Sequence, residues 1–415
     1  MKCRGRLSYY VISFLLYTCK GKVESLLGRI RRRHHVRLVS SYIITSRRGL
    51  DRWSAYMAEK HADDELEENV DLELEPFFYD EAEAVADHER RMQREREAAC
   101  KEERRVWALN VNKATMDAIL DYDPKQGGKY YNRFYMADFS RFDLDEESPL
   151  DPMRHTDRVF KKGDRYIQLD AVNILSVQIA SLDVDFPINV YGTVIARDSI
   201  DWKCVYLFRR EKDHYQLINS KDESLILTGP KRGLVLSDDA YVEIDLKITD
   251  DQGQEEEELS KGFLTIRGIA GRRLDKSIVE SKDIATRLST VEVTYAVVNK
   301  AVEATISIQV IEGEFHGKIT ACTTVIPNHL VLHDSKVQVA GVTNNNGKGV
   351  IQLLRSIVSI GLEEKLLVTI VSQTGDTEHQ DTVAFTPDIK GRAGIEITLG
   401  ITKMLVKVAW SLIEE

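Results

Sequence analysis

The chain has 415 residues, 43% of them hydrophobic and 30% charged, with 57 lysines and arginines against 67 acids and a formal net charge of −10. That length suits two or three domains with a real core, and the composition excludes wholesale disorder and a bundle of membrane spans. The acidic balance argues against a nucleic-acid-coating role, and five cysteines, Cys3, Cys19, Cys100, Cys204 and Cys322, far apart and with no Cys-x-x-Cys pair, exclude a disulfide framework or a cysteine-rich zinc site.

Residues 1–56 carry 13 lysines and arginines and only two acids, Glu24 and Asp51. The uncharged run Leu7 to Cys19 is too short for a membrane-spanning helix, which needs about 20 residues. It has the length of a signal-peptide core, but Tyr17-Thr18-Cys19-Lys20 is a poor cleavage site. The Arg31-Arg32-Arg33 stretch has the character of a transit peptide. The third reading is a basic extension outside the fold, with composition turning over at Met57. No membrane span is expected, and cysteine usage suits a reducing, cytoplasmic setting.

Residues 57–78 are acidic and poor in large apolar groups, so disorder is expected there. Residues 79–110 form a charged helix: Asp80 to Val106 contains no Gly or Pro, and Asp87→Arg91 and Glu97→Lys101 are spaced for i,i+4 pairing. The apolar stripe Ala82, Val85, Met92, Ala99, Val106 is thin, which favours a solvated helix over a coiled coil. Residues 111–169 read as an extended arm. Gly127-Gly128 and three prolines break any long helix there, while Tyr130, Tyr131, Phe134, Tyr135, Phe139 and Phe142 require burial against the following domain.

From residue 170 to 415 the period becomes two. Val242, Ile244, Leu246 and Ile248 alternate with polar residues, and the same alternation marks Leu175-Val177-Ile179, Val190-Gly192-Val194, Val291 to Val297, Val302 to Val310 and Met404 to Trp410. Short strands with turn signals between them predict a mainly β fold. This is an antiparallel β-sandwich behind a charged N-terminal helix and a disordered N-terminus, either one extended body or two packed lobes at about 170–270 and 285–415. Asp250 to Lys261 reads as a long acidic loop, Asp275 to Leu288 as a possible helix, and Asn346-Gly347 as a hairpin turn.

The chemical motifs are few. Gly341 to Gly349 has five residues between Gly341 and Gly347 and no Ser or Thr after Lys348, so it fails as a phosphate loop. His329 and His333 sit on a strand with no third ligand nearby in sequence. The candidate metal ligands are Asp183, Asp185, Asp198 and Asp201, acids at predicted strand ends where calcium could gather oxygens. The two pairs flank one strand and are expected at its opposite ends. No catalytic or cofactor-binding residue is assigned and no cofactor is expected. An enzyme with dispersed carboxylates stays open as an alternative.

Tyr122-Asp123-Pro124-Lys125-Gln126-Gly127-Gly128, Phe186 to Asp198, Val205 to Arg210, Leu227-Thr228-Gly229-Pro230 and Glu243 to Lys247 together resemble a family of grass (Poaceae) proteins defined only as domain of unknown function 6598, over about Pro76 to Glu415. A related domain, the resemblance implies, is attached in some cereal jasmonate-induced proteins to a ribosome-inactivating N-glycosidase. That enzyme's Glu-Ala-x-Arg motif is not met at Glu81-Ala82, Glu83-Ala84 or Glu97-Ala98, so no catalytic residue carries over. The expectation is a non-enzymatic β-sandwich interaction module with a protein partner and a stress or defence role. The alternatives are a glycosidase-associated protein and a calcium- or lipid-responsive module of C2 type.

Overall fold

In the computed structural model, which describes residues 80–161, 165–249, 255–268, 276–337, 349–374 and 377–414, the Gly- and Pro-free stretch forms one helix, α1 (Glu81–Ala118). Residues 1–56 and 57–78 and the Asn346-Gly347 turn lie outside the described residues. The chain divides into two units after Arg105. In the first, the Asp80 carboxylate caps α1 by accepting from the Ala82 and Glu83 backbone amides at 2.9 and 3.3 Å, and Glu81 and Glu83 complement the positive end of the helix dipole. Side-chain pairing differs from the expected register: Asp87 pairs with Arg90 and Glu102 with Arg105, both at i,i+3, and Glu97 accepts from Gln93. None of the helix residues is buried. The helix continues past residue 110 to Ala118, because nothing in Val106–Ala118 breaks it.

The second unit begins at Val106. After α1, β1 (Leu120–Asp123) and β2 (Gly128–Tyr131) pair around a 3-10 turn, Pro124–Gln126. The body follows in chain order. β3 (Ala171–Leu182), β4 (Ile188–Arg197), β5 (Val205–Arg210), β6 (Gln216–Ile218) and β7 (Leu234–Val235) come first. Next are β8 (Ala240–Thr249), β9 (Glu256–Ile266), β10 (Ile278–Thr286) and β11 (Ser289–Val298). One sheet has the order β10-β11-β3-β7 and the other β5-β4-β8-β9, with β6 added to β4. Val177, Ile179, Val194, Leu207, Leu246 and Tyr295 are among the side chains that fill the core between them.

The second sandwich starts with β12 (Ala301–Glu312), β13 (Gly317–Thr323), β14 (Leu330–Asp334) and β15 (Gly349–Val350). It ends with β16 (Ile357–Gly361), β17 (Leu366–Thr374), β18 (Thr377–Phe385), β19 (Lys390–Leu399) and β20 (Thr402–Leu412). Its sheets have the orders β15-β12-β20-β19, with β16 added to β12, and β14-β13-β17-β18. Ile306, Ile319, Val368, Met404, Val406 and Trp410 lie in its core. All strand pairs of both sandwiches among the described residues are antiparallel, and the β11–β12 turn joins the first to the second. Small residues at the junction, Ala171, Ala296 and Ala301, let the lobes approach closely.

Two expectations are corrected. Among its described residues, Asp275 to Leu288 holds no helix: Ile278–Thr286 is strand β10, with Ile284 facing the core and polar residues between. Among the described residues of Asp250 to Lys261, Glu256–Lys261 is the first half of β9, because Lys247 and Lys261 neutralise Glu256 and Glu258 and permit an acidic strand. Gly192 is required in β4: its φ is +111°, and a Cβ there would lie 2.2 Å from the Asp245 carbonyl oxygen on β8.

Candidate functional site

The aromatic arm lies on the first sandwich, which its composition demands. Phe134 and Phe139 are buried with Ile119 and Leu144, packed against Met116, Trp202 and Tyr241. Phe134 stacks on Trp202 at 5.5 Å between ring centroids and tilts against Tyr241 at 4.7 Å. Burial raises the Tyr241 hydroxyl to about 12. Asn112, on the last turns of α1, donates to the Ala137 carbonyl at 3.3 Å and accepts from the Phe139 amide at 3.1 Å.

Three buried acids hold this arrangement. Glu243 on β8 is reached from both sides. Its Oε1 accepts from Arg197 Nε at 2.6 Å and the Phe134 amide at 3.0 Å, and its Oε2 accepts from Arg133 Nε at 2.9 Å. Arg133 also reaches Asp145 at 2.7 Å. Burial alone would lower the Arg133 pKa, but the Glu243 and Asp145 charges more than offset it and raise it. The Leu144 carbonyl accepts from Arg133 and Arg197 and from the Cys204 thiol, whose pKa burial pushes up.

Asp198 is fully buried and bidentate with Arg232, Oδ2 to Nη1 at 2.7 Å and Oδ1 to Nη2 at 2.9 Å; it also accepts from the Val235 amide. Asp201 accepts from Arg232 at 3.2 Å and from the Ser148 hydroxyl of the arm at 2.7 Å. Glu303 on β12 accepts from the Met153 amide at 2.7 Å and the Gly233 amide at 2.6 Å, joining arm, first sandwich and second.

Asp198 and Asp201 are thus brought together, but around a guanidinium. Asp183 and Asp185 stand at the other end of β4, both exposed, with Asp183 paired to Lys125 at 2.7 Å. No group of three or more His, Cys, Asp or Glu suited to a metal occurs among the described residues. His333 is buried, with Nδ1 3.0 Å from the Gln352 carbonyl. Sequence reasoning missed Glu243, Glu303, Arg197 and Arg232. Glu243 and Glu303 occupy the polar positions of alternating strands, where solvent is the ordinary neighbour; the arm's course over Glu243, and the arm together with the Gly233 turn at Glu303, make them interior.

A groove of about 450 Å³ lies on the outer face of β12, β20 and β19. Thr305, Ser307, Arg392, Gly394, Leu405 and Lys407 line it, with Met153 of the arm at its edge. Met153 adopts φ 62°, held there by the Glu303 contact. Arg392 is paired with Asp157 of the arm at 2.5 and 2.8 Å, and Lys407 lies 3.4 Å from the Gln309 amide oxygen. No helix among the described residues is long and apolar enough to cross a membrane.

Residues 171–408 match the model of a family described as "Domain of unknown function (DUF6598)", and the chain belongs to that family. No curated protein matches it. Among solved structures, human GIVD cytosolic phospholipase A2 is similar over 59% of this chain at 8% identity, with a TM-score of 0.21. This chain spans 30% of that protein's length, and a TM-score so low establishes no shared fold.

Proposed function

We propose that this chain is a non-enzymatic interaction module, binding a protein partner through the outer surface of its sandwiches, in the cytoplasm and in a stress or defence response. The observation that carries the reading is where the acids lie. Glu243, Asp198 and Glu303 are buried with their oxygens occupied by guanidinium or backbone N–H donors, which makes them struts of the arm and not groups aimed at a substrate. The groove offers hydroxyls, apolar side chains and two cations, and its lining contains no carboxylate, histidine or cysteine. Glycoside chemistry needs two carboxylates flanking one bond.

The grass origin, the stress setting and the association with ribosome-inactivating enzymes rest on the motif resemblance. Cys100, Cys204 and Cys322 are free thiols, which supports a reducing compartment. A calcium- or lipid-responsive reading would need acids converging at one edge, whereas Asp183 and Asp185 lie at the opposite end of β4 from Asp198 and Asp201. The test is to incubate the full chain with ribosomes and with chromogenic glycosides and to assay adenine and aglycone release. Release no greater than a blank is expected. Release well above it, abolished by Glu303→Gln, would overturn the reading. Ser307→Trp, which fills the groove, should remove partner binding while leaving the circular dichroism spectrum unchanged.

A further inference from the structure

Three arginines are buried in the described structure: Arg197, Arg232 and Arg355. The first two are each bound to carboxylates at hydrogen-bonding distance. Arg355 is different. It stands just ahead of β16 at the seam between the two sandwiches, 5% exposed. Its one hydrogen bond among the described residues runs from Nη2 to the Ile174 carbonyl of β3 at 2.6 Å, and its Nε is buried with no acceptor.

Beside it, Asn173 and Ser359 exchange two hydrogen bonds across the same seam, Nδ2 to the Ser359 carbonyl at 2.7 Å and the Ser359 amide to Oδ1 at 2.9 Å. The Ser359 hydroxyl is itself buried without a partner. Arg355 Nε and the Ser359 hydroxyl, on residues that contact Ile174 and Asn173 of β3, thus both have donor capacity unused. The buried acid Glu364 accepts from the Ser277 hydroxyl at 2.6 Å through Oε1, its Oε2 has no hydrogen-bond partner, and it forms no ion pair with Arg355 among the described residues.

A guanidinium cannot shed its charge at neutral pH; even with burial pushing Arg355 down to about 10, it stays protonated. A buried charge without a counter-charge is costly, and proteins pair such groups. The guanidinium fork matches oxyanions in particular, since its planar N–H donors meet two oxygens at once. We infer that the seam between the sandwiches binds a small oxyanion, a phosphate, sulfate or carboxylate group, with Arg355 as its charged contact.

The experiment uses the full chain at fixed ionic strength and pH 7, replacing chloride stepwise by inorganic phosphate, by sulfate or by acetate, and follows the melting temperature. A saturable rise of roughly 2–4 °C is expected for at least one of the three. A tetrahedral-oxyanion site responds to phosphate or sulfate, and a carboxylate site to acetate. In Arg355→Met the saturable rise should vanish, and in Arg355→Lys it should weaken. Should Arg355→Met not fold, equilibrium dialysis of the wild-type chain with labelled phosphate, sulfate and acetate replaces it, with about one anion bound per chain expected for the responding species. An equal rise in wild type and Arg355→Met, or no saturable binding of any of the three, would overturn the inference.

Discussion

The Glu243 carboxylate and the Arg197 guanidinium meet at 2.6 Å in an interior that the strand pattern alone would place in water. What covers them is the arm: Arg133, on the other side, binds the same carboxylate at 2.9 Å, so a single acid on β8 fastens the segment that precedes the sandwich. Local sequence, tertiary packing and charge are linked at this one residue.

Glu243→Ala should therefore cost more than a typical core change. It leaves two guanidinium groups facing an empty site, and stranding partners of a buried ion pair costs about 3–5 kcal/mol. The urea midpoint should fall accordingly, and trypsin should cut after Arg133, a site expected to be spared in the wild-type chain. Unchanged stability with Arg133 still protected would show that aromatic packing alone holds the arm.

The Arg232–Asp198 pair permits a double-mutant cycle. Arg232→Met and Asp198→Asn each leave one buried charge or polar group without its partner, and each should destabilise by about 3–5 kcal/mol. The double variant should be less damaging than the sum of the singles, with a coupling of about 0.5–3 kcal/mol. Additive effects in denaturant unfolding would contradict the bidentate geometry.

How much of this was legible beforehand depended on whether a residue's neighbour is local. The strands Val242 to Ile248 and Val302 to Val310 could be read because alternation reports burial of one face directly. Ile278–Thr286 was misread because a single strongly apolar core position, Ile284, leaves the period ambiguous, and the acidic start of β9 because its neutralising lysine on β8 is set by register. The acids singled out in turns proved less informative than Glu243 and Glu303. The pairing Glu303 makes with Met153 spans 150 residues of chain, a separation no local pattern encodes.

Acid should loosen the hairpin that starts the arm. Arg287, in the β10–β11 turn, binds Asp121 and, at 2.7 Å, Glu258. Burial alone would raise both carboxyls. Hydrogen bonds from the Tyr122 amide and Asn132, with the Arg287 charge, outweigh this for Asp121; Lys261 and Arg287 outweigh it for Glu258. Both carboxyls are held below their ordinary values. A depressed folded-state pKa contributes stability above the unfolded value, about 3.9–4.3, and that contribution is lost as pH falls through the folded value. Between pH 5 and pH 3 the wild-type melting temperature should drop further than that of Arg287→Met. Parallel curves would remove these ion pairs from the account.

Two glycines give a matched pair of substitutions with opposite expectations. Gly192 and Gly394 both lie inside strands, β4 and β19, where Gly→Ala would ordinarily help by restricting the unfolded chain, by about 0.4–1 kcal/mol. At Gly394 the new methyl would have nothing nearer than a Leu405 methyl at 3.5 Å, an ordinary contact at the groove, so Gly394→Ala should be neutral or slightly stabilising. At Gly192 the φ of +111° is one that alanine avoids, and the methyl would lie 2.2 Å from the Asp245 carbonyl oxygen, a backbone atom fixed by the β4–β8 ladder. Strain of about 1–3 kcal/mol is the least such a residue brings, and the clash adds to it by prising β8 from β4, where Glu243 is carried. Gly192→Ala should therefore lower the denaturation midpoint sharply and also expose Arg133 to trypsin. Equal stability of the two variants would mean that the β4–β8 contact is looser than its register implies.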